Sequence, residues 1–159
     1  MKKILVTGAN AGIGYALTKR LILEKGAFVY LGSRNAERGE MAVKKLIDEN
    51  PEAGGKVEML NIDVTSEESV AAAAESLKTK GVILYALVNN AGVGLAHEGV
   101  TPDDVLATNY HGVHRVSAAF KSLVDPDGRI INTSSGVASS FLKTQTEEMK
   151  KFFSNPDLT

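Results

Sequence analysis

The chain of 159 residues contains no cysteine and no tryptophan. Without cysteine there is no disulfide framework, thiolate metal site or cysteine nucleophile, and the absence fits a reducing compartment. The chain has 18 basic and 19 acidic residues, which give a formal net charge of −1. Because there is no excess of basic residues, the composition argues against a protein that binds nucleic acid electrostatically. The longest apolar run, at 82–88, is far too short to cross a bilayer. We therefore expect a soluble, cytoplasmic protein with no nucleic-acid and no membrane partner.

The sequence alternates short apolar runs with longer helical patterns, in the order β-α-β-α-β-α-β-α-β. Five runs are strand-like and apolar on both faces, which is typical of a parallel sheet covered on both sides. This alternation predicts one α/β domain with a doubly wound, Rossmann-type sheet, whose ligands bind at the carboxyl ends of the strands. The predicted strands lie at 3–7, 27–31, 56–62, 84–89 and 129–132.

The predicted helices after the first strand pair have recognisable N-caps. The helix that begins after 101 is expected to run without interruption to a turn at 125–128. A last short helix is expected over 144–154. The predicted caps are Asn35, Thr65 in a capping box with Glu68, Thr101 followed by Pro102, and Thr144 in a capping box with Glu147.

A glycine-rich turn with the spacing G-x-x-x-G-x-G joins the first strand to the first helix. Gly8 permits a sharp strand exit, Gly12 lets backbone N–H groups approach a diphosphate, and Gly14 lets the helix lie close to the sheet. The helix N-terminus adds partial positive charge. Any tight strand-to-helix turn can use glycine, but this position, at the start of the domain, predicts a phosphate-binding loop that includes Asn10 and Ile13.

Four motifs together resemble the short-chain dehydrogenase/reductase family, in the family's order and spacing, over residues 1 to about 140. The resemblance implies a Rossmann-type fold that binds a nicotinamide dinucleotide and transfers a hydride between it and a carbonyl or alcohol. The motifs are the glycine-rich turn from Thr7 to Gly14, Asn89-Asn90-Ala91-Gly92, Asn109 in the long helix, and Asn132-Thr133-Ser134-Ser135.

The end of the second strand indicates which dinucleotide is bound. NAD-binding folds usually place an acidic residue there for the ribose 2′-hydroxyl, whereas this chain has Ser33-Arg34. An arginine pairs with a 2′-phosphate, the Ser33 hydroxyl can add a hydrogen bond, and Arg38 lies one helical turn later. The sequence therefore predicts NADP(H) as the cofactor. By resemblance, Asp63 and Val64 would hold the adenine edge.

The resemblance also implies further cofactor contacts and part of a catalytic set. The segment from Asn89 to Gly92 would line the adenine ribose and the sheet end, with Asn89, Ala91 and Gly92 as the contacting residues. Ser135 would orient the carbonyl oxygen, and Asn109 would position a water in the proton relay.

The family's catalytic Tyr and Lys, spaced four residues apart, are missing. No tyrosine follows Ser135, and only Tyr15 has a lysine four residues later, at Lys19. That pair is predicted to lie in the first helix behind the phosphate loop, where helical amphipathicity explains it.

The last 24 residues resemble the start of a helical insertion found in the NADPH-dependent carbonyl reductase branch, whose members are typically monomeric. We expect residues 1–135 to form the dinucleotide-binding core and 136–159 to begin an inserted helical segment near the substrate site. The sheet is then incomplete at its C-terminal half, and the truncated chain is expected to self-associate through its open edge. The side chains expected to lose cover are Val105, Val113, Val116 and Phe120.

Two functions remain open on the sequence. The first is NADPH-dependent reduction of a small-molecule carbonyl, in a chain that ends before the catalytic Tyr. The second is a catalytically inactive NADP(H)-binding or regulatory module. No metal site is expected, because His111 and His114 have only His97 as a further candidate ligand.

Overall fold

The computed structural model describes residues 1–94, 96 and 98–155, and it contains one five-stranded sheet. All strand pairs are parallel, and their order is β3-β2-β1-β4-β5. The predicted doubly wound α/β sheet is therefore confirmed. Its strands are β1 (Lys3–Val6), β2 (Phe28–Ser33), β3 (Val57–Asn61), β4 (Leu84–Asn89) and β5 (Val124–Asn132).

Helices connect the strands and cover both faces of the sheet. We call the continuous run formed by α4, a π-helical segment, α5 and a 3₁₀ turn the long helix. The helices are α1 (Gly12–Lys25), α2 (Ala36–Glu49), a 3₁₀ turn (Pro51–Ala53), α3 (Glu67–Thr79), α4 (Pro102–Leu106), the π-helical segment (Ala107–Gly112), α5 (Val113–Phe120), the 3₁₀ turn (Lys121–Leu123), α6 (Val137–Lys143) and α7 (Glu147–Phe153).

The sheet separates two apolar clusters. On one face Leu5, Leu87 and Phe120 are fully buried against α3 and the long helix. On the other face Val6 and Val29 are fully buried with residues of α1 and α2. Because the central strands carry apolar side chains toward both faces, they need cover on both sides, and this placement leaves their carboxyl ends as the accessible edge.

Two predicted helix starts are confirmed by their hydrogen bonds. The Asn35 side chain accepts a bond from the Arg38 N–H and caps α2. Thr101 caps α4 in a reciprocal capping box with Asp104, and Pro102 occupies the first turn.

The predicted capping box at Thr65 is wrong, because the cap of α3 is Ser66. The Thr65 N–H and hydroxyl both donate to Asp63 Oδ1, at 2.9 and 2.7 Å. Thr65 thus closes a turn on the preceding aspartate, and the helix begins one residue later than predicted.

The predicted cap at Thr144 is also wrong. The Thr144 hydroxyl donates to the Phe141 carbonyl, and Thr146 accepts from the Met149 N–H to cap α7. The sequence interpretation missed α6 as a separate helix.

The predicted turn at 125–128 lies inside β5 as an irregularity. Leu84 pairs with Val124, but Ala86 pairs with Arg129, so four residues of β5 lie opposite Tyr85. The Asp127 N–H donates to Asp125 Oδ1 and closes the local turn. The chain therefore resumes its pairing with β4 only at Arg129.

Two of the side chains expected to lose cover are in fact buried. Val116 and Phe120 are fully enclosed by the cluster around Leu87, because the long helix presents them to the sheet. The large apolar residues of β5 are exposed instead, with Ile130 at 41% and Ile131 at 47%.

Candidate functional site

A cleft of about 460 Å³ lies at the carboxyl edge of the sheet, where β1, β2, β3 and β4 end. It is the place at which a doubly wound sheet binds its ligand. Eleven of the fourteen predicted site residues line it: Gly8, Asn10, Gly12, Ile13, Gly14, Ser33, Arg34, Asp63, Val64, Ala91 and Gly92. Thr108 and Thr133 also line the cleft, and the sequence interpretation did not select either.

The glycine-rich turn fits tightly where it meets the neighbouring strand end. Gly8 has a positive φ of 62°, and a Cβ there would lie 2.8 Å from Ala91 Cα. A Cβ at Gly14 would lie 2.5 Å from the Gly8 carbonyl oxygen and from Asn90 Nδ2. Since real Cβ atoms do not approach so closely, only glycine allows the start of α1 to lie this near β1 and β4.

The open side of the same turn faces the cleft. Gly12 has a φ of 54°, and a Cβ there would meet no atom within 4 Å. Ala11 precedes α1 and its side chain makes no capping hydrogen bond, and the first turn carries no acidic residue. The first N–H groups of this 14-residue helix therefore belong to residues that line the cleft, and no side chain in the described part of the chain caps them, which is an arrangement suited to binding phosphate.

The ends of β1 and β4 are tied together by Thr7 and Asn90. The Thr7 hydroxyl accepts bonds from the N–H groups of Asn90 and Ala91, both at 3.0 Å. The Asn90 side chain donates to the Thr7 carbonyl at 3.0 Å. These bonds fix the floor of the cleft. Thr7 stood in the glycine-rich motif without an assigned role, whereas Asn90 was expected only to line the adenine ribose and the sheet end with its neighbours.

The end of β2 places two arginines at the cleft. Arg34 and Arg38 are exposed, line the cleft and form no ion pair with any described residue. Ser33 is buried, and its hydroxyl donates to the Asn35 carbonyl at 2.8 Å. Because a hydroxyl has one proton, Ser33 can donate to a phosphate only by leaving that bond.

The turn after β3 forms another wall. One carboxylate oxygen of Asp63 is held by Thr65, and the Asp63 N–H donates to Ser69 Oγ at 2.9 Å. Val64 is 8% exposed, and its carbonyl accepts a bond from Arg115 at 2.6 Å. The backbone here is thus held by bonds from three directions.

Asn89 lies behind the cleft and does not line it. Its Nδ2 donates to Ser117 Oγ at 2.9 Å and to Asn132 Oδ1 at 2.8 Å, while its buried Oδ1 has no partner among the described residues. The structure therefore places Asn89 as a link between β4, β5 and the long helix.

The two predicted catalytic residues also lie outside the lining of the cleft. Asn109 is in the π-helical segment, and its amide both accepts from the Val93 N–H and donates to the Val93 carbonyl, at 2.9 and 2.8 Å. Ser135 is exposed, and its Oγ accepts from the Val137 N–H at 3.2 Å. Thr133, which does line the cleft, lies two residues before Ser135 and is bonded to Asn89.

The Tyr15–Lys19 pair has none of the features of a proton donor. Burial raises the pKa of the Tyr15 hydroxyl, and the charge of Glu49 raises it further. Lys19 Nζ lies 3.9 Å from the Glu49 carboxylate, and Lys45 Nζ lies 5.6 Å from the centroid of the Tyr15 ring. A catalytic tyrosine needs a lowered pKa, so the pair is part of the packing between α1 and α2.

Two further predictions concern absences. Among residues 1–94, 96 and 98–155, no group of three or more His, Asp or Glu side chains could hold a metal ion. His97, the third candidate ligand, lies outside the described residues. Within the same part of the chain, every helix is too short or too polar to traverse a lipid bilayer.

Comparisons with known proteins show which family the chain resembles. The family model described as short chain dehydrogenase matches residues 2–146. The chain is 34% identical over 160 residues to Carbonyl reductase [NADPH] 1 of Mus musculus, and 33% identical over 160 residues to Carbonyl reductase [NADPH] 3 of Rattus norvegicus. Each match covers 98% of this chain and 56% of the relative, so the chain spans little more than half the length of these relatives.

Solved structures show the same fold. Menthone neomenthol reductase from Mentha piperita superposes with a TM-score of 0.83 at 32% identity, covering 98% of this chain and 67% of that one. An alcohol dehydrogenase from Thermococcus sibiricus, complexed with 5-hydroxy-NADP, gives a TM-score of 0.73 at 28% identity, covering 87% of this chain and 60% of that one.

Proposed function

The chain belongs to the short-chain dehydrogenase family, and from that premise we propose that its cleft binds NADP(H) for the reduction of a small-molecule carbonyl to an alcohol. The relatives named carbonyl reductase [NADPH] and the structures with bound NADP derivatives support this cofactor. The observation that carries the proposal is the pair of guanidinium groups of Arg34 and Arg38 at the end of β2, neither of which forms an ion pair with a described residue. An acidic residue at that place would repel a 2′-phosphate.

The residues of the cleft fit the parts of the dinucleotide. The N–H groups at the start of α1, from Gly12 to Gly14, would hold the diphosphate. Arg34 and Arg38 would pair with the 2′-phosphate, and Asp63 with Val64 would border the adenine. When bound, NADPH supplies the hydride for reduction.

Two residues of the catalytic set implied by the family are present in these 159 residues. We propose that Ser135 orients the carbonyl oxygen and that Asn109 positions a water in the proton relay. The two hydrogen bonds between the Asn109 amide and the Val93 backbone tie the π-helical segment to the cleft wall. Because no tyrosine follows Ser135, these 159 residues should reduce no carbonyl above background. The second candidate function is a catalytically inactive NADP(H)-binding module, since neither Ser135 nor Asn109 is among the residues that line the cleft.

The segment after Ser135 would contribute to the substrate side. Its helices α6 and α7 carry exposed aromatic rings, and Phe141 packs edge-on against Phe153 at 5.7 Å between ring centroids. We propose that this segment adjoins an apolar carbonyl substrate. The complete protein is proposed to act as a monomer, as in the carbonyl reductase branch.

The test is a fluorescence titration of the 159-residue chain with NADPH and with NADH, at concentrations where the chain is monomeric. We expect NADPH to bind about ten- to a hundredfold more tightly, which is what charge-assisted pairing to a phosphate gives. Arg34→Asp should reverse the preference. Lys121→Asp makes the same charge change on an exposed residue outside the cleft and should leave the preference intact. Equal affinity of the unmutated chain for both dinucleotides would contradict the proposal.

A further inference from the structure

The long helix reaches the wall of the cleft through one arginine. Arg115 is in α5, 51 positions after Val64, and its Nη1 donates to the Val64 carbonyl oxygen at 2.6 Å. Val64 itself lines the cleft. A partly buried cation of the long helix is therefore bonded to the backbone of the wall that the adenine would contact.

The helix also packs directly against the same residue. A Cβ at Gly112 would lie 3.0 Å from Val64 Cγ2 and 3.2 Å from its Cβ. One turn earlier, Thr108 is 8% exposed and lines the cleft beside Val64. Glycine at 112 thus lets the helix approach closely enough for Arg115 to reach the carbonyl.

The guanidinium of Arg115 forms no ion pair with any side chain that the structure describes. Among the described residues, no carboxylate lies within ion-pair distance of its guanidinium. On the other side of the turn, Thr65 and Ser69 hold Asp63. Without Arg115, the Asp63 side of the turn stays bonded, whereas the Val64 carbonyl loses its charged donor and the peptide it belongs to can rotate.

We propose that Arg115 is a positioning residue for the adenine part of NADP(H), acting through the Val64 backbone. The inference rests on the proposed function, because it assumes that the dinucleotide occupies the cleft. Arg115 holds the Val64 peptide in one wall of the cleft, and it does not itself line the cleft.

The experiment is calorimetric titration with two probes, adenosine 2′,5′-bisphosphate and inorganic pyrophosphate. Arg115→Met keeps an aliphatic side chain and removes the hydrogen-bond donor. Arg115→Gln is a second, more polar variant, which lacks the guanidinium and is too short to reach the Val64 carbonyl oxygen. Lys121→Met and Lys121→Gln are the matched controls, since they remove a cation from the end of the same helix at an exposed position. Thermal melts without ligand establish that each variant is folded.

We expect both Arg115 variants to bind adenosine 2′,5′-bisphosphate about tenfold more weakly, the scale of one charge-assisted hydrogen bond, with pyrophosphate binding unchanged. The Lys121 variants should bind both probes as the unmutated chain does. If Arg115→Met is unfolded, Arg115→Gln decides. Unchanged binding of the bisphosphate, or an equal loss for both probes, would overturn the role of Arg115 alone. Failure of the unmutated chain to bind the bisphosphate would instead overturn the proposed function and, with it, the inference.

Discussion

The two halves of the molecule differ in how their apolar strands are covered. The core half, β1 to β4 with α1 to α3 and the long helix, encloses Leu5, Leu87 and Val29 completely. The open half, β5 with α6 and α7, leaves Ile130 and Ile131 more than two fifths exposed, and Phe141 and Phe152 about half exposed. Both halves have strands that are apolar on both faces, so the difference lies in the cover and not in the strand pattern.

The difference between the halves separates the cleft from Ser135. Every residue that lines the cleft except Thr133 belongs to the core half, where packing on both faces fixes the strand ends. Ser135 lies in the open half, among exposed residues. A site made of backbone N–H groups and strand ends needs only the core half, whereas Ser135, the serine we propose to orient the carbonyl, lies in the open half.

The largest expected effect is self-association of the 159-residue chain through the open half. An uncovered edge strand with exposed isoleucines invites pairing with another chain. We expect size-exclusion chromatography at several concentrations to show larger species as concentration rises, with a broad thermal melt. Replacing both Ile130 and Ile131 by lysine should reduce the association. A monomer at every concentration, with a sharp melt, would show that the open half is stable without further cover.

A smaller effect compares equivalent truncations in the two halves. Leu87→Ala removes a fully buried side chain from β4 and should lower the free energy of unfolding by about 2–5 kcal/mol. Ile131→Ala, on a strand residue that is 47% exposed, should cost less than about 1 kcal/mol. Urea unfolding of both variants gives the comparison. Similar losses of unfolding free energy in the two variants would mean that Ile131 is buried against other residues in solution.

The smallest expected effect uses two glycines. Gly14→Ala forces a Cβ against the Gly8 carbonyl and should destabilise the chain by roughly 1–3 kcal/mol. Gly136 precedes α6 with a helical φ of −65°, and a Cβ there would meet no atom within 4 Å. Gly136→Ala should therefore change the free energy of unfolding by no more than about 0.5 kcal/mol. Melting curves would contradict the tight fit of the glycine-rich turn if Gly14→Ala lowered the melting temperature no more than Gly136→Ala does.

The sequence predicted the parts of this structure that depend on repeating patterns. Runs apolar on both faces located the parallel strands, and the glycine spacing located the turn whose residues line the cleft. These patterns were sufficient because a parallel strand and a tight strand-to-helix turn each restrict the residue types they accept.

The sequence did not predict details that depend on which of several neighbouring groups forms a bond. Thr65 and Ser66 are both good caps, and only the position of the Asp63 carboxylate decides between them. The side of the long helix that faces the sheet could not be inferred from Val116 and Phe120 alone, since apolar residues also occur on its exposed side, as at Leu106. The contact of Arg115 with Val64 joins positions 51 residues apart and has no local signal.

The most direct test of the account is amide hydrogen exchange of the chain with and without NADPH. If the core half holds a complete dinucleotide site, NADPH should slow amide exchange in peptides covering 8–15, 33–39 and 63–65. Exchange in 137–153 should be fast and unchanged by the ligand, because the described helices there are exposed and do not line the cleft. Protection confined to 137–153, or no protection in 8–15, would contradict the claim that the core half alone binds the dinucleotide.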